Sequence, residues 1–124
     1  MEDKKKILIV EDDDFLAEIY SKELLKAGYL AEVVNSGPTA LTSLKENDYD
    51  LVLLDIMMPG MDGLTVLERI RKDEKTVKTP VVVLSNLSED STVKRALQLG
   101  ANGYLLKAQY LPHQAVAEVK KFLS

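Results

Sequence analysis

The chain has 124 residues, 46% of them hydrophobic, a net charge of −4 and no cysteine. That length suits one domain with a substantial core, and the acidity argues against direct, non-specific nucleic-acid binding. Without cysteine there is no disulfide, thiol or cysteine–zinc chemistry, and the single His113 leaves no histidine-based zinc site. No apolar run approaches the roughly 20 residues that span a bilayer. The apolar part of MEDKKKILIV is too short for a signal peptide and lacks a cleavage site, so the chain reads as cytoplasmic, with no membrane partner.

In chain order, the lysines at 4–6 read as a solvated approach to a first strand, ILIV (7–10). Glu11, Asp12 and Asp13 follow it, with Asp13 placed to cap the next helix. Residues 14–27 set Leu16, Ile19, Tyr20 and Leu24 at spacings of three and four, and Gly28 stops that helix. LAEVV (30–34) is a more polar strand that suits a sheet edge. SGPTALTSLKEN opens a second helix, with Ser36 as N-cap and Pro38 in the first turn. LVLL (51–54) runs into Asp55, and MPGMDG then makes a turn in which Asp62 caps a helix over 63–72. VVVL (81–84) ends at Ser85 and Asn86, and SEDSTVKRALQLG forms a helix from the cap candidate Ser88 to Gly100. GYLL (103–106) runs into Lys107, and residues 112–123 begin at Pro112 and align Val116, Val119 and Leu123.

Four of the five strands are almost wholly apolar, as central parallel strands covered on both faces must be. Strict strand–helix alternation means a parallel α/β sheet with right-handed crossovers, a three-layer sandwich forming a single domain over residues 1–124.

In such sheets function gathers beyond the carboxyl ends of the strands. Here that rim carries Glu11 and Asp12, then Asp55, then Ser85, then Lys107. The first loop offers acid in place of the glycines or hydroxyls that would give N–H groups to a phosphate. Two carboxylates about 4 Å apart repel by roughly 4 kcal/mol at an effective dielectric near 20, so the cluster needs a cation. A few oxygen ligands favour Mg²⁺ over a softer metal, despite Met57, Met58 and Met61 nearby. With a metal in place, Asp55 can act as a nucleophile on phosphorus, Lys107 as a point charge and Ser85 as a hydrogen-bond donor to the transferring group. His113 reads as a helix-start residue without chemistry.

The segments ILIVEDD, LVLLDIMMPGMDG, TPVVVLSN and GANGYLLK, in that order, resemble the receiver domain of two-component response regulators, over essentially the whole chain. The resemblance implies a flavodoxin-like α/β/α sandwich of five parallel strands in the order 2-1-3-4-5 with five helices. It implies Mg²⁺ held by Glu11, Asp12, Asp55 and the backbone carbonyl of Met57. Asp55 would be the phosphoacceptor, Ser85 the switch hydroxyl, Lys107 the conserved-type lysine and Tyr104 the aromatic that changes rotamer on activation. A histidine kinase or phosphotransfer protein is the implied donor. The implied output surface is the fourth helix, fifth strand and fifth helix, serving a downstream protein target, an output domain or a phosphorylation-dependent homodimer.

Two positions depart from the family pattern. Ala108 stands where a proline usually follows the lysine, often through a cis bond. A cis bond to a non-proline costs about 2.5–4 kcal/mol, which favours trans. Asn86 replaces a small apolar residue and is placed to reach the site or to reshape its loop.

Three functions compete. One is a phosphorylation-controlled signalling module that acts only on its own aspartyl phosphate. Another is a degenerate receiver that binds partners without phosphorylation. The last is a phosphatase with an aspartyl phosphate intermediate, which needs a second aspartate where Met57 stands. The end at Ser124, directly after the last helix, fits either a stand-alone receiver or a piece of a longer regulator.

Overall fold

The structure is a computed structural model and describes residues 4–123, so residues 1–3 and 124 of the expected domain lie outside it. Five strands, β1 (Lys6–Val10), β2 (Leu30–Val34), β3 (Leu51–Leu54), β4 (Val81–Ser85) and β5 (Gly103–Leu106), form one parallel sheet in the order β2-β1-β3-β4-β5. Five helices alternate with them: α1 (Asp14–Lys26), α2 (Gly37–Glu46), α3 (Gly63–Lys72), α4 (Asp90–Gln98) and α5 (Pro112–Lys120). This is the expected flavodoxin-like order.

Both faces of the sheet are buried, which is why the strands carry runs rather than alternation. Ile7, Ile9, Leu51, Leu53, Val82 and Leu84 face α1 and α5, where Tyr20, Leu24, Val116 and Val119 meet them. Leu8, Val10, Val52, Leu54 and Val81 face α2 and α3, against Leu44, Val66, Leu67 and Ile70. A buried Leu, Ile or Val contributes about 1.5–3 kcal/mol, so these two layers supply most of the stabilisation.

Local chemistry explains the helix starts. Asp13 Oδ1 accepts from the Leu16 N–H at 3.1 Å, Ser36 Oγ from Thr39 at 3.3 Å, and Asp62 Oδ1 from Thr65 at 2.9 Å. For α4 the expected cap is displaced: Glu89, not Ser88, is the N-cap, and its side chain accepts no backbone N–H of the first turn. That helix buries only Ala96, the least of the five.

Three further expectations are corrected. GYLL reads as a central strand, yet β5 is the second sheet edge and buries only Leu105. Its apolar composition is used from outside, because the Phe122 ring closes over Gly103, leaving no room for a Cβ there. The last helix ends at Lys120, and Phe122 and Leu123 pack against the core from beyond it. Lys6 is not a freely solvated approach residue. It opens β1, its N–H donates to Asp50 Oδ2 at 2.8 Å and its Nζ lies 3.1 Å from Glu32 Oε2.

Candidate functional site

Register builds the site. β1 and β3 are neighbours with Val10 opposite Leu54, so the residues after them, Glu11 and Asp55, emerge side by side. The ladder continues into them: the Glu11 N–H donates to the Val34 carbonyl and the Asp55 N–H to the Val10 carbonyl, at 3.1 and 3.0 Å. Ser85 pairs with Leu106, which puts Lys107 one residue beyond on the same rim.

Carboxylate oxygens of Glu11, Asp12 and Asp55 lie within 4.8 Å of one another. Glu11 and Asp55 are buried and Asp12 is exposed. Three hard oxygen donors, two of them withdrawn from water and one open to it, fit a divalent cation that keeps water ligands. Lys107 Nζ reaches the pair from the other side, 2.6 Å from Glu11 Oε1 and 3.5 Å from Asp55 Oδ2. Burial pushes the Glu11 carboxyl up, Asp55 adds to that rise, and the Lys107 hydrogen bond opposes it without cancelling it. Burial works against the Lys107 ammonium, but its bond to Glu11 and the charge of Asp55 outweigh that and hold it above its ordinary value. The ammonium is therefore fixed in its charged form.

The β3–α3 loop fits tightly against Asp55. The Met57 N–H donates to Asp55 Oδ1 at 3.3 Å, and Met57 itself is exposed. Gly63 starts α3 with its N–H on the Ile56 carbonyl, and a Cβ there would lie 2.2 Å from the Asp55 carbonyl oxygen. Only glycine lets the helix approach this closely.

On the opposite flank, Ser85 is fully buried and its Oγ accepts from the Leu87 N–H at 3.1 Å. Tyr104 Oη donates to the Leu87 carbonyl at 2.7 Å. Tyr104 is thus half-buried and tied to the β4–α4 loop, rather than pointing freely into solvent. Burial raises its hydroxyl, with the neighbouring Ser85 hydroxyl working the other way.

Asn86 is exposed, and among the described residues its side chain makes no hydrogen bond. Among the described residues no peptide bond is cis, and Lys107–Gln109 form a short 3₁₀ turn that the sequence pattern does not announce. Even without a proline at 108, that turn leaves Lys107 on the two carboxylates. His113 is exposed at the start of α5. Sequence reasoning overlooked Tyr20, a core residue of α1 whose buried hydroxyl lies in the field of Lys107, Glu11 and Asp55. Its position in the apolar stripe of α1 hid it.

A sequence profile described as "Response regulator receiver domain" matches residues 7–117. The chain belongs to that family. Receiver domains are signalling modules of two-component systems rather than enzymes that turn over external substrates, and an acidic pocket like this one could bind a metal. This receiver is 40% identical over 102 residues to the transcriptional activator protein IrlR of Burkholderia pseudomallei, a match covering 82% of this chain and 43% of that protein. It therefore spans less than half the length of that relative. Among solved structures it resembles a putative response regulator from Chloroflexus aurantiacus (33% identity, TM-score 0.89, 97% of this chain and 98% of the other). It also resembles the chemotaxis protein CheY4 of Vibrio cholerae (25% identity, TM-score 0.91, 98% and 100%). No helix among the described residues is long and apolar enough to cross a membrane.

Proposed function

We propose that this domain, spanning residues 1–124, accepts a phosphoryl group on Asp55 from a histidine kinase or phosphotransfer protein in the cytoplasm. The observation that supports this best is the meeting of Glu11, Asp12 and Asp55 with the Lys107 ammonium, 2.6 and 3.5 Å from the two buried carboxylates. Glu11, Asp12, Asp55 and the Met57 carbonyl would hold Mg²⁺. When bound, that ion supplies positive charge against the carboxylates and the phosphoryl oxygens.

The chain's own groups then have defined tasks. An Asp55 oxygen forms a bond to phosphorus in line as the bond to the donor's imidazole nitrogen breaks, and the imidazole departs with that electron pair. Lys107, kept charged by its setting, meets one phosphoryl oxygen. Ser85 turns its hydroxyl to donate to another. Because Ser85 Oγ also holds the Leu87 N–H, and the Leu87 carbonyl holds Tyr104, that turn pulls on the loop that fixes the ring. Tyr104 changes rotamer and the α4–β5–α5 surface changes its preference for a partner. The partner is a downstream protein, an output domain of the same polypeptide or a second phosphorylated copy.

Met57 and Leu87 line one open cleft beside Asp55, and neither side chain can orient a water. The aspartyl phosphate is accordingly long-lived. Intact mass after incubation with Mg²⁺ and a small phosphodonor tests the whole reading. The wild type gains one phosphoryl group and Asp55→Asn gains none. An equal gain in both, or a gain in neither, refutes it.

A further inference from the structure

Met57 is 58% exposed, whereas its neighbour Met58 is 7% exposed and Met61 is half-buried against Gly37. Thioether oxidation follows access, so among the described methionines an oxidant in water meets Met57 first. The backbone of the same residue touches the candidate reaction centre, its N–H donating to Asp55 Oδ1 at 3.3 Å. With Leu87 and Pro59 it walls an open cleft of about 420 Å³ between the β3–α3 and β4–α4 loops. An accessible sulfur two residues beyond the candidate phosphoacceptor, on a residue whose backbone holds that carboxylate, is placed to report an oxidant to the site.

We propose that Met57 is a reversible oxidation site that shortens the lifetime of the aspartyl phosphate, which rests on Asp55 being the phosphoacceptor. The oxidant is a hydroperoxide. The sulfur lone pair attacks the terminal peroxide oxygen, the O–O bond breaks, an S–O bond forms, and water or an alcohol leaves with the displaced oxygen. The thioether is oxidised by two electrons and the peroxide reduced by two. Methionine sulfoxide reductases restore the thioether.

The consequence follows from polarity. A thioether is a weak acceptor and covers the cleft with apolar surface. A sulfoxide oxygen is a strong acceptor on the same flexible stem and can hold a water against the phosphoryl group. A positioned acid–base group accelerates hydrolysis by about 10²–10⁴. The sulfoxide aligns water but takes up no proton, so the effect is a fall in half-life of roughly three- to tenfold.

The test oxidises the intact chain with limited hydrogen peroxide, removes the oxidant, phosphorylates it with a small phosphodonor and Mg²⁺, and follows loss of the phosphoryl group by intact mass. Peptide mapping locates the added oxygen. Each variant is compared with its own unoxidised form, so a changed starting rate does not enter. We expect Met57 to oxidise before Met58 and Met61, and the half-life to fall in wild type and in Met61→Leu but not in Met57→Leu. Methionine sulfoxide reductase restores the original half-life. Preferential oxidation elsewhere, an unchanged half-life in oxidised wild type, or an equal fall in Met57→Leu overturns the proposal and leaves the phosphoacceptor role standing. Failure of the unoxidised protein to take up phosphate overturns both.

Discussion

The two ends of the sheet hold their charges in opposite ways. Towards the amino end, Lys6 sits 3.1 Å from Glu32 and 5.1 Å over the Tyr49 ring, whose hydroxyl donates to Glu32 at 2.9 Å. Arg71 of α3 spreads its guanidinium over the carbonyls of Gly100, Thr76 and Thr79 and the side-chain oxygen of Asn102. Donors there are matched to acceptors, and the result is a fastening. At the carboxyl end three carboxylates gather around one ammonium that reaches two of them, a surplus of negative charge that a bound cation would offset. One end closes the fold and the other is left incomplete for chemistry.

The contrast is broken most sharply at Arg71. Arg71→Ala strands several part-buried carbonyls at once, and denaturant unfolding is expected to show a loss of about 2–4 kcal/mol. Asp55 still takes up phosphate at temperatures where the variant is folded. A comparable loss of phosphorylation in the folded variant would mean the two ends are not separable.

Magnesium tests the other end. Saturating it to about a hundredfold above its dissociation constant stabilises the fold by about 2.7 kcal/mol. A melting curve shows the rise in wild type, and chelation or Asp12→Asn diminishes it. No shift in wild type would remove the cation from the account.

The smallest effects separate the two ends by sign. Glu32 is held below its ordinary value by the Tyr49 hydroxyl and Lys6, so its contribution is present above pH 4.5 and is lost as pH falls through the lowered value. Glu11 is pushed above 4.5, chiefly by burial, so the folded protein binds its proton more tightly than the unfolded chain does. Its contribution is unfavourable at neutral pH and is relieved as pH falls towards 4.5. Relative to the wild type, Glu11→Gln is therefore expected to lose stability as the pH falls towards 4.5, while at neutral pH the relieved burial of a carboxylate is set against the lost bond to Lys107. Glu32→Gln lowers stability at neutral pH by no more than about 0.5 kcal/mol, as for an exposed pair. Equilibrium unfolding at several pH values reads both signs.

The same contrast governs what sequence reveals. Apolar runs, caps at Asp13, Ser36 and Asp62, and the alternation of strands and helices are local signals, and each reappears in the structure. The gathering of Glu11, Asp55, Ser85 and Lys107 was legible because strand ends in a parallel sheet share a rim. Composition misplaced β5 in the centre, because Phe122 covers an edge strand from 19 positions away and no local pattern records that. Ser88 failed as a cap because the chain enters α4 one residue later, through Glu89. Nothing in the local sequence marks Arg71. Most of its acceptors are carbonyls, of the turn just after α3 and of Gly100, and backbone atoms carry no letter in a sequence.

Between the end of β3 and the start of α3 lies a gap the width of a hydrogen atom, kept by Gly63 against the Asp55 carbonyl. The Asp55 carboxylate is thus located by the thinness of its neighbour as much as by any charge around it. Bulk, and not polarity alone, decides which descendants of this chain keep a usable aspartate.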